Sequence, residues 1–524
     1  MIPDVSARVE RRPIAVAGGT SLETLEQALA NTQGHPSPDW SAAIGFLSPS
    51  LRDAFSPARS FRFPVEPAGI DGQDARVMSD TQEMMSSSDE PHHEATFWQK
   101  AAWVMYDWAN SGFGLIITGP LFQPYFIGQL LPKLPEGAGA ADDRSGFVIG
   151  TTVVPASAVV ALMTATTAAL VALAAPVLGA IADIKGWTRR LFILHALAGG
   201  LIALGTILLS PGQWPLAIPI YILSAYCFGT ANTFYNAFLP RLTRPQRQGS
   251  LSGFGFAAGY VGGALALIFA YFVVFKFTND MPLALTIGGA WWLLFSLPAM
   301  FLMPGIPAAP GAALARERLV TAGFRRVFRT FANIRQYRML FLFLLAFLLY
   351  ANGTDTVINL SPAFGKDVLN MTSGQLVSMF LVVQFVAFAG AMLFGWLADR
   401  LGNKPVIVSN LLVWVLATTL VIFVTTPGQF TMLALLVGVV LGGVQASSRA
   451  LMARLAPRDI HNEAFGFFSL SGKAVSVLGP LIYAGTATLL GPRYGVLAVL
   501  PFLLAGLILL LFVREPRDIP ELQT

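Results

Sequence analysis

Charged residues and cysteine are scarce in this chain. Asp, Glu, Lys and Arg account for 12% of its 524 residues, whereas soluble domains carry about 25%. This composition excludes an ordinary soluble protein. The single cysteine, Cys227, lies within an apolar run, which excludes a disulfide framework and a thiolate metal site within one chain. The histidines are isolated or lie in the polar N-terminal tail, so we expect neither a metal centre nor a cofactor.

Long apolar runs take the place of the missing charge. Hydrophobic residues make up 54% of the chain, and the mean hydropathy is +0.62. A helix needs about 20 apolar residues to span a bilayer, and about twelve such runs lie between residues 97 and 514. We predict an all-α membrane protein whose transmembrane helices, numbered one to twelve, cover 98–128, 153–182, 190–210, 215–239, 250–275, 283–304, 338–360, 375–398, 405–425, 430–452, 464–489 and 495–514.

The chain divides into two helical halves with tails at both ends. Residues 1–95 are rich in Ser, Pro and charged residues and lack the apolar core of a signal peptide, so we predict a disordered tail. The alternative is a mis-assigned start, with translation beginning at Met78, Met84 or Met85. We assign 96–304 to an N-terminal six-helix half, 338–514 to a C-terminal six-helix half and 515–524 to a C-terminal tail.

Residues 305–337 form a linker between the two halves. Its apolar side chains fall on one helical stripe, and Arg318, Arg325 and Arg329 lie off that stripe. This pattern is typical of a helix that lies in the membrane interface. The stripe consists of Val320, Phe324, Val327, Phe328, Phe331 and Ile334.

Lys and Arg are distributed unevenly between the two sides of the predicted membrane. One side carries most of them, including those of the linker, and the other carries only Lys133, Arg144, Lys276, Lys366 and Arg493. The positive-inside rule then places both termini and the linker in the cytoplasm. We therefore predict a multi-pass protein of the cell (inner) membrane. The pI of about 9.3 reflects these loops, and we expect no nucleic-acid partner.

Each half contains one copy of a similar loop. The first copy lies between predicted helices two and three, and the second between helices eight and nine. We interpret them as a conformational latch between the halves, because glycine allows close helix approach and aspartate accepts hydrogen bonds from helix N-termini. The basic residues are expected to pair with carboxylates or lipid headgroups. Arg449, near the end of helix ten, is assigned to the latch, either snorkelling or paired with Asp399. The loop residues are Gly179, Asp183, Arg189 and Arg190 in the first copy and Gly395, Asp399, Arg400 and Lys404 in the second.

Polar side chains within the predicted membrane concentrate on helices one, four, seven and ten. Because such side chains are costly in lipid, they usually face a cavity or another helix. The bland alternative is hydrogen bonding that only holds the bundle together. We predict a substrate or proton pathway formed by Asp107, Asn110, Asn232, Asn236, Asn352, Asp355 and Gln445, with Lys473 of helix eleven.

Five segments resemble known families. The two loops resemble the signature loop of the major facilitator superfamily. The first departs from that pattern at Ile184 and has an extra residue before Arg189, so we expect the second latch to contribute more. The segments Tyr106–Ser111, Ser252–Gly263 and Gly442–Arg449 resemble the vacuole-effluxer-like (autophagy-related) family and its bacterial relatives. This resemblance implies twelve helices, alternating access and, in fungal members, export of amino acids from the vacuole.

Taken together, these patterns predict a secondary active transporter that exports a small polar solute, with amino acids as the leading candidate. Asp107 and Asp355 would bind a substrate ammonium or a coupling proton, Lys473 a carboxylate, and the amides of Asn110, Asn352 and Gln445 would orient the solute. We expect a monomer among membrane lipids, without ATP drive, because no nucleotide-binding motif is present. The alternatives are a receptor-like or scaffold protein on the same fold and a membrane-embedded enzyme, for which no nucleophile or metal cluster is visible.

Overall fold

The structure is a computed structural model that describes residues 94–119, 121–134, 145–149, 152–309, 319–473, 486 and 492–516. The tail predicted over 1–95 lies outside the described residues except for its last two positions. The same holds for 517–524 and for most of the second half of predicted helix eleven.

The N-terminal half contains six helices that we name by the predicted numbering. Thr96 begins α1 with a capping box, in which its hydroxyl and the Gln99 side chain each bind a backbone N–H of the other. After α1, a π-helix follows over Gly114–Thr118, then a short helix over Phe122–Tyr125 and a second π-helix over Phe126–Leu130. The helices are α1 Phe97–Phe113, α2 Ala156–Lys185, α3 Thr188–Leu204, α4 Trp214–Ala237, α5 Gln248–Ile268 and α6 Met281–Leu302.

A small hairpin precedes α2 and was not expected from the sequence. Its strands, β1 Gly146–Ile149 and β2 Thr152–Pro155, pair antiparallel with Phe147 opposite Val154. Predicted helix two begins at residue 153, so it includes the end of β2, whereas β1 lies in a segment for which no helix was predicted.

The linker and the C-terminal half follow the same plan. The linker contains one helix, Leu319–Ala332, which we call the linker helix. The remaining helices are α7 Arg338–Leu369, α8 Ser373–Leu401, α9 Asn403–Leu420, α10 Pro427–Leu455, α11 His461–Lys473 and α12 Leu500–Phe512, the last preceded by short helical turns over Pro492–Val499.

Within the described residues, ten helices are long and apolar enough to cross a membrane. Large apolar side chains such as Leu162, Leu173 and Phe301 are exposed on their outer surfaces, as expected of faces that contact lipid. The two helices outside this set are α1, whose α-helical part is only 17 residues long, and α11, described as far as Lys473. The chain is thus a multi-pass membrane protein, and the count of twelve spans stays a prediction for these two.

The two halves meet along two helix pairs, α2 with α11 and α5 with α8. Glycine allows the backbones to touch in both pairs. A Cβ atom at Gly466 of α11 would lie 2.5 Å from Cα of Pro176 on α2, and one at Gly253 of α5 would lie 2.5 Å from the carbonyl oxygen of Ala391 on α8. Because α5 corresponds to α11 and α2 to α8 in two six-helix halves, these are related contacts.

Candidate functional site

A cavity of about 1070 Å³ lies between the two halves. Its inner end is formed by Asp107, Asn236 and Arg449, and its wall continues to Gln123 and Val496. The residues of α8 and α10 in this wall belong mostly to the first two-thirds of each helix, whereas the paired loops follow α2 and α8. We call the end of the molecule with Asp183 and Asp399 the latch side, and the cavity therefore extends away from it.

An ion pair joins the halves at the inner end of this cavity. The Nη2 atom of Arg449 on α10 lies 2.8 Å from Oδ2 of Asp107 on α1. Arg449 also donates to the Ser252 carbonyl (2.8 Å) and hydroxyl (2.9 Å) on α5, and its guanidinium carbon lies 4.5 Å and 4.3 Å from the ring centres of Trp103 and Phe256. Both charged side chains are buried, so opposite charge, hydrogen bonds and aromatic faces together offset the loss of hydration.

Glycine leaves the space that this ion pair occupies. A Cβ atom at Gly255 would collide with the Asp107 carboxylate and lie 2.8 Å from Nη2 of Arg449. The glycine-rich segment of α5 therefore has a local purpose beyond general helix packing.

The predicted pairing of Arg449 with Asp399 is wrong. Arg449 lies six residues before the end of α10 at Leu455 (455 − 449), which is about 9 Å along a helix axis. It therefore reaches the cavity and Asp107, while Asp399 accepts hydrogen bonds from the start of α5.

Amide side chains form the polar wall of the cavity next to the ion pair. Asn110 donates from Nδ2 to Oδ1 of Asn232 (2.6 Å) and accepts from the indole of Trp292 (3.1 Å). Tyr260 donates to Oε1 of Gln445 (2.9 Å), which connects α5 of one half with α10 of the other. These bonds fix the orientation of two amides that face the cavity, and Asn110 and Asn232 also hold α1 against α4.

The structure does not bring all predicted pathway residues together. Asn352 and Asp355 of α7 are not among the residues that line the cavity. Asn352 is buried and accepts from the Thr356 hydroxyl at 3.3 Å, and Asp355 is half-buried. Lys473 is described only as the last residue of α11. On α7 the cavity wall is instead formed further along the helix, at 357–362 and Phe364.

Sequence reasoning missed several cavity residues: Ser252, which holds Arg449, and the lining residues Phe256, Tyr260 and Gln384. Two segments that resemble the family could have indicated these residues. Ser252, Phe256 and Tyr260 lie in Ser252–Gly263, and Arg449, which Ser252 binds, lies in Gly442–Arg449. Gln384 lies in an apolar stretch of α8 and has no such motif around it.

Both paired loops make the predicted kind of contact with a helix N-terminus. In the first latch, Asp183 accepts from the backbone N–H (2.9 Å) and Nδ2 (2.7 Å) of Asn462 and from the N–H of Glu463 (3.0 Å), at the start of α11. In the second latch, Asp399 accepts from the N–H groups of Gly249 (2.8 Å) and Ser250 (2.9 Å), at the start of α5. Each carboxylate thus binds the positive end of a helix in the opposite half.

The glycines of the loops allow this approach. A Cβ atom at Gly179 would lie 2.5 Å from the carbonyl oxygen of Asn462, and one at Gly395 would lie 2.7 Å from that of Gly249. In both latches the space next to the helix N-terminus is therefore filled by backbone.

Arg189 and Lys404 bind backbone carbonyls instead of the expected carboxylates, and the alternative contact with lipid headgroups stays a prediction. Arg189 donates to the carbonyls of Met300 (3.0 Å) and Phe301 (2.8 Å) at the end of α6. Lys404 donates from Nζ to the carbonyls of Leu511 (2.7 Å) and Val513 (2.8 Å) at the end of α12. Each cation satisfies the last carbonyls of the final helix of its own half.

Arg190 and Arg400 take a different position and are exposed. The guanidinium carbon of Arg400 lies 4.0 Å from the ring centre of Trp396, and that of Arg190 lies 6.0 Å from the ring of Trp187. Among the described residues, no group of three or more His, Cys, Asp or Glu side chains is arranged to hold a metal ion.

Comparison with known proteins identifies a family to which this chain is similar. The profile of the family described as "Vacuole effluxer Atg22 like" matches residues 95–523. The chain is 32% identical over 428 residues, 80% of its length and 95% of the other's, to an uncharacterized MFS-type transporter, YxiO, of Bacillus subtilis. It is 23% identical over 328 residues, 56% of its length and 64% of the other's, to autophagy-related protein 22 of Eremothecium gossypii.

Solved structures with the same fold include the human organic anion transporter MFSD10 and the proton:xylose symporter XylE. The first has a TM-score of 0.59 at 15% identity, covering 80% of this chain and all (100%) of that one. The second has a TM-score of 0.61 at 14% identity, covering 80% and 96%. These similarities show the major facilitator fold alone. With the family profile, they establish that the chain belongs to the vacuole effluxer Atg22-like family of major facilitator superfamily transporters.

Proposed function

We propose that this membrane transporter exports a small zwitterionic solute, with amino acids as the leading candidate, by alternating access coupled to protons. The observation that carries the proposal is the Asp107–Arg449 ion pair, which joins the two halves at the inner end of the cavity. A secondary transporter alternates by rocking its halves around a central site. A solute or a proton that breaks an ion pair between the halves at that site can change how the halves are arranged.

The two charges match the two ends of a zwitterion. A solute carboxylate would compete with Asp107 for Arg449, and a solute ammonium would bind the released Asp107 carboxylate. The amides of Asn110, Asn232 and Gln445 lie in the same wall and would orient the solute by hydrogen bonds. Only a solute that carries both charges replaces the ion pair without leaving an unpaired buried charge, which costs several kcal/mol, roughly 3–5.

A proton offers the second way to part the ion pair. Protonation of Asp107 removes its attraction for Arg449. The halves can therefore separate on the latch side only when Asp107 is protonated or a solute has replaced the Asp107–Arg449 ion pair. Export as the direction is supported by the description of the family as vacuole effluxers.

Transport by the purified protein in vesicles tests this proposal. We expect exchange of labelled amino acids in counterflow and faster net uptake under a pH gradient. Asp107→Asn should weaken counterflow, because it removes the carboxylate that binds the solute ammonium, and it should abolish the effect of the gradient. Arg449→Gln should lose both. The matched control is Asp280→Asn, an exposed carboxylate that caps α6.

The proposal is overturned if Asp107→Asn responds to the gradient like the unmodified protein. Binding of amino acids, seen as thermal stabilisation, without counterflow would instead favour the receptor-like alternative.

A further inference from the structure

The linker helix has two faces of different chemistry. Gly323 packs it against α2, where an added Cβ atom would lie 3.1 Å from the side chain of Ile181 and 3.2 Å from the carbonyl oxygen of Val177. Another face of the helix carries exposed apolar side chains: Val320 and Phe328 are 59% and 70% exposed. Phe324 and Phe331 share this exposed face. A soluble surface would not place four large apolar side chains together at one face.

Basic side chains border the exposed apolar face. Arg325 and Arg329, one helical turn apart, are exposed beside Phe324 and Phe328. Residues 319–338 contain five arginines and no acidic residue. An exposed apolar stripe with arginines along its edge is the pattern of a helix that lies flat in an anionic membrane surface.

The same helix reaches both halves at the first latch. Arg326 donates from Nε to Oε2 of Glu463 (3.2 Å) and from Nη2 to the carbonyl of Asp459, both in the C-terminal half. Glu463 is fully buried, and its backbone N–H is one of the three donors to Asp183. At the end of the linker helix, the ring of Phe331 meets that of Phe467 on α11 at 5.0 Å.

We propose that the linker helix binds anionic phospholipid through Phe324, Phe328, Arg325 and Arg329, and that this binding favours the conformation in which the latch side is closed. Lipid bound to the outer face holds the helix against α2, and Arg326 carries that restraint to α11. Charge complementarity favours an anionic lipid, because the charged residues of 319–338 are all arginines. This segment also continues directly into the membrane-spanning α7 at Arg338. The inference requires two conformations but no particular solute.

Lipid binding is tested with the full chain in nanodiscs that contain photoactivatable phosphatidylglycerol or phosphatidylcholine. We expect phosphatidylglycerol to cross-link preferentially to residues of the linker helix. Arg325→Gln with Arg329→Gln should weaken this by about fivefold per arginine. The matched control, Lys133→Gln with Lys276→Gln, removes two exposed charges on the other side and should change nothing.

The effect on the latch side is measured by the distance between spin labels at Gln246→Cys and Arg458→Cys, which are exposed on opposite halves. Cys227, the one native thiol, is replaced by Ser. Phosphatidylglycerol should raise the population with the short distance in the otherwise unmodified protein but not in the Arg325→Gln/Arg329→Gln variant. Arg326→Gln should keep the cross-link and lose the shift.

The proposal is overturned if phosphatidylglycerol and phosphatidylcholine cross-link equally, or if the shift persists without Arg325 and Arg329. Cross-linking of the apolar face to a second copy of the chain would likewise overturn it. Neither readout uses a solute, so the result is independent of whether the transport proposal holds.

Discussion

The two latches use the same backbone geometry in different surroundings. In both, an aspartate at the end of one helix accepts hydrogen bonds from the start of a helix in the other half. Asp183 is buried and accepts from two backbone N–H groups and one amide side chain. Asp399 is half-buried and accepts from two backbone N–H groups, with the Ser250 side chain as a further contact. The linker helix adds Arg326 next to the first latch, through the ion pair with Glu463.

The second latch is supported by the C-terminal end of the described chain instead. The Glu515 carboxylate accepts from the N–H groups of Asn403 (3.0 Å) and Lys404 (2.9 Å) at the start of α9, and it lies 3.3 Å from Arg454. Arg454 in turn donates to the Pro245 carbonyl of the other half at 2.7 Å. The comparison shows that a duplicated contact keeps its backbone core while the side chains that reinforce it diverge.

Replacement of the latch aspartates should have the largest effect on the closed-to-open ratio of the latch side, and this effect should differ most between the two latches. In Asp183→Asn and in Asp399→Asn, the new NH₂ group faces a backbone N–H that the carboxylate had accepted. A charge-assisted hydrogen bond contributes about 1.5–3 kcal/mol, and burial increases the cost of leaving its donor unpaired. We expect the closed-to-open ratio of the latch side to fall about 100-fold for Asp183→Asn and about tenfold for Asp399→Asn.

The spin-label distance between Gln246→Cys and Arg458→Cys measures this ratio. The order is the reverse of the one that the sequence suggested, because the imperfect first loop had indicated that the second latch contributes more. A larger effect of Asp399→Asn would support the prediction from the sequence and contradict the stronger role that burial gives to Asp183.

The glycine contacts should respond equally in the two latches. A Cβ atom at Gly466 or at Gly253 would lie 2.5 Å from a backbone atom of the other half, so closure must loosen in both cases. Overpacking of this kind costs about 1–3 kcal/mol, and we expect Gly466→Ala and Gly253→Ala each to lower the closed-to-open ratio by about 30-fold. Gly428→Ala is the control, since nothing lies within 4 Å of its added Cβ. Unequal effects would mean that the packing, and not only the polar contacts, differs between the latches.

Much of the fold was accessible from the sequence because apolar runs and turn residues are local signals. The bounds of α2 to α10 follow the predicted runs within several residues, except that α7 extends nine residues past its predicted end at residue 360 (369 − 360). Both aspartates contact a helix N-terminus as expected. The partner of Arg449 was not accessible, because a helical position six residues from the end is compatible with either a surface or a cavity. Contacts such as Arg326–Glu463 depend on how the linker folds back, which no local pattern encodes.

The side chains that reinforce the latches from outside should have smaller effects than the glycine contacts. Glu515→Gln removes the charge that caps α9 and neutralises the pair with Arg454, while Arg326→Gln removes the pair with Glu463. Loss of a helix cap costs about 1 kcal/mol, so we expect about a fivefold fall in the closed-to-open ratio for Glu515→Gln. Arg326→Gln should exceed it, because it leaves the fully buried Glu463 without its cation. The same spin-label pair reports both, and a smaller effect for Arg326→Gln would argue that the linker helix does not support the first latch.

The exposed arginines of the two loops should have the smallest effect, although they belong to the motif. Arg400 lies over Trp396 at 4.0 Å and Arg190 over Trp187 at 6.0 Å, and both are exposed. An exposed cation–π contact contributes about 0.5–1 kcal/mol, so Arg400→Gln should change the closed-to-open ratio by about twofold to fivefold and Arg190→Gln by less. Lys404→Gln is the informative contrast, because it removes donors to two terminal carbonyls of α12 and should lower thermal stability measurably. If Arg400→Gln equals Lys404→Gln in both measurements, the loop cations act through their charge alone, and their different positions within the second latch carry no consequence.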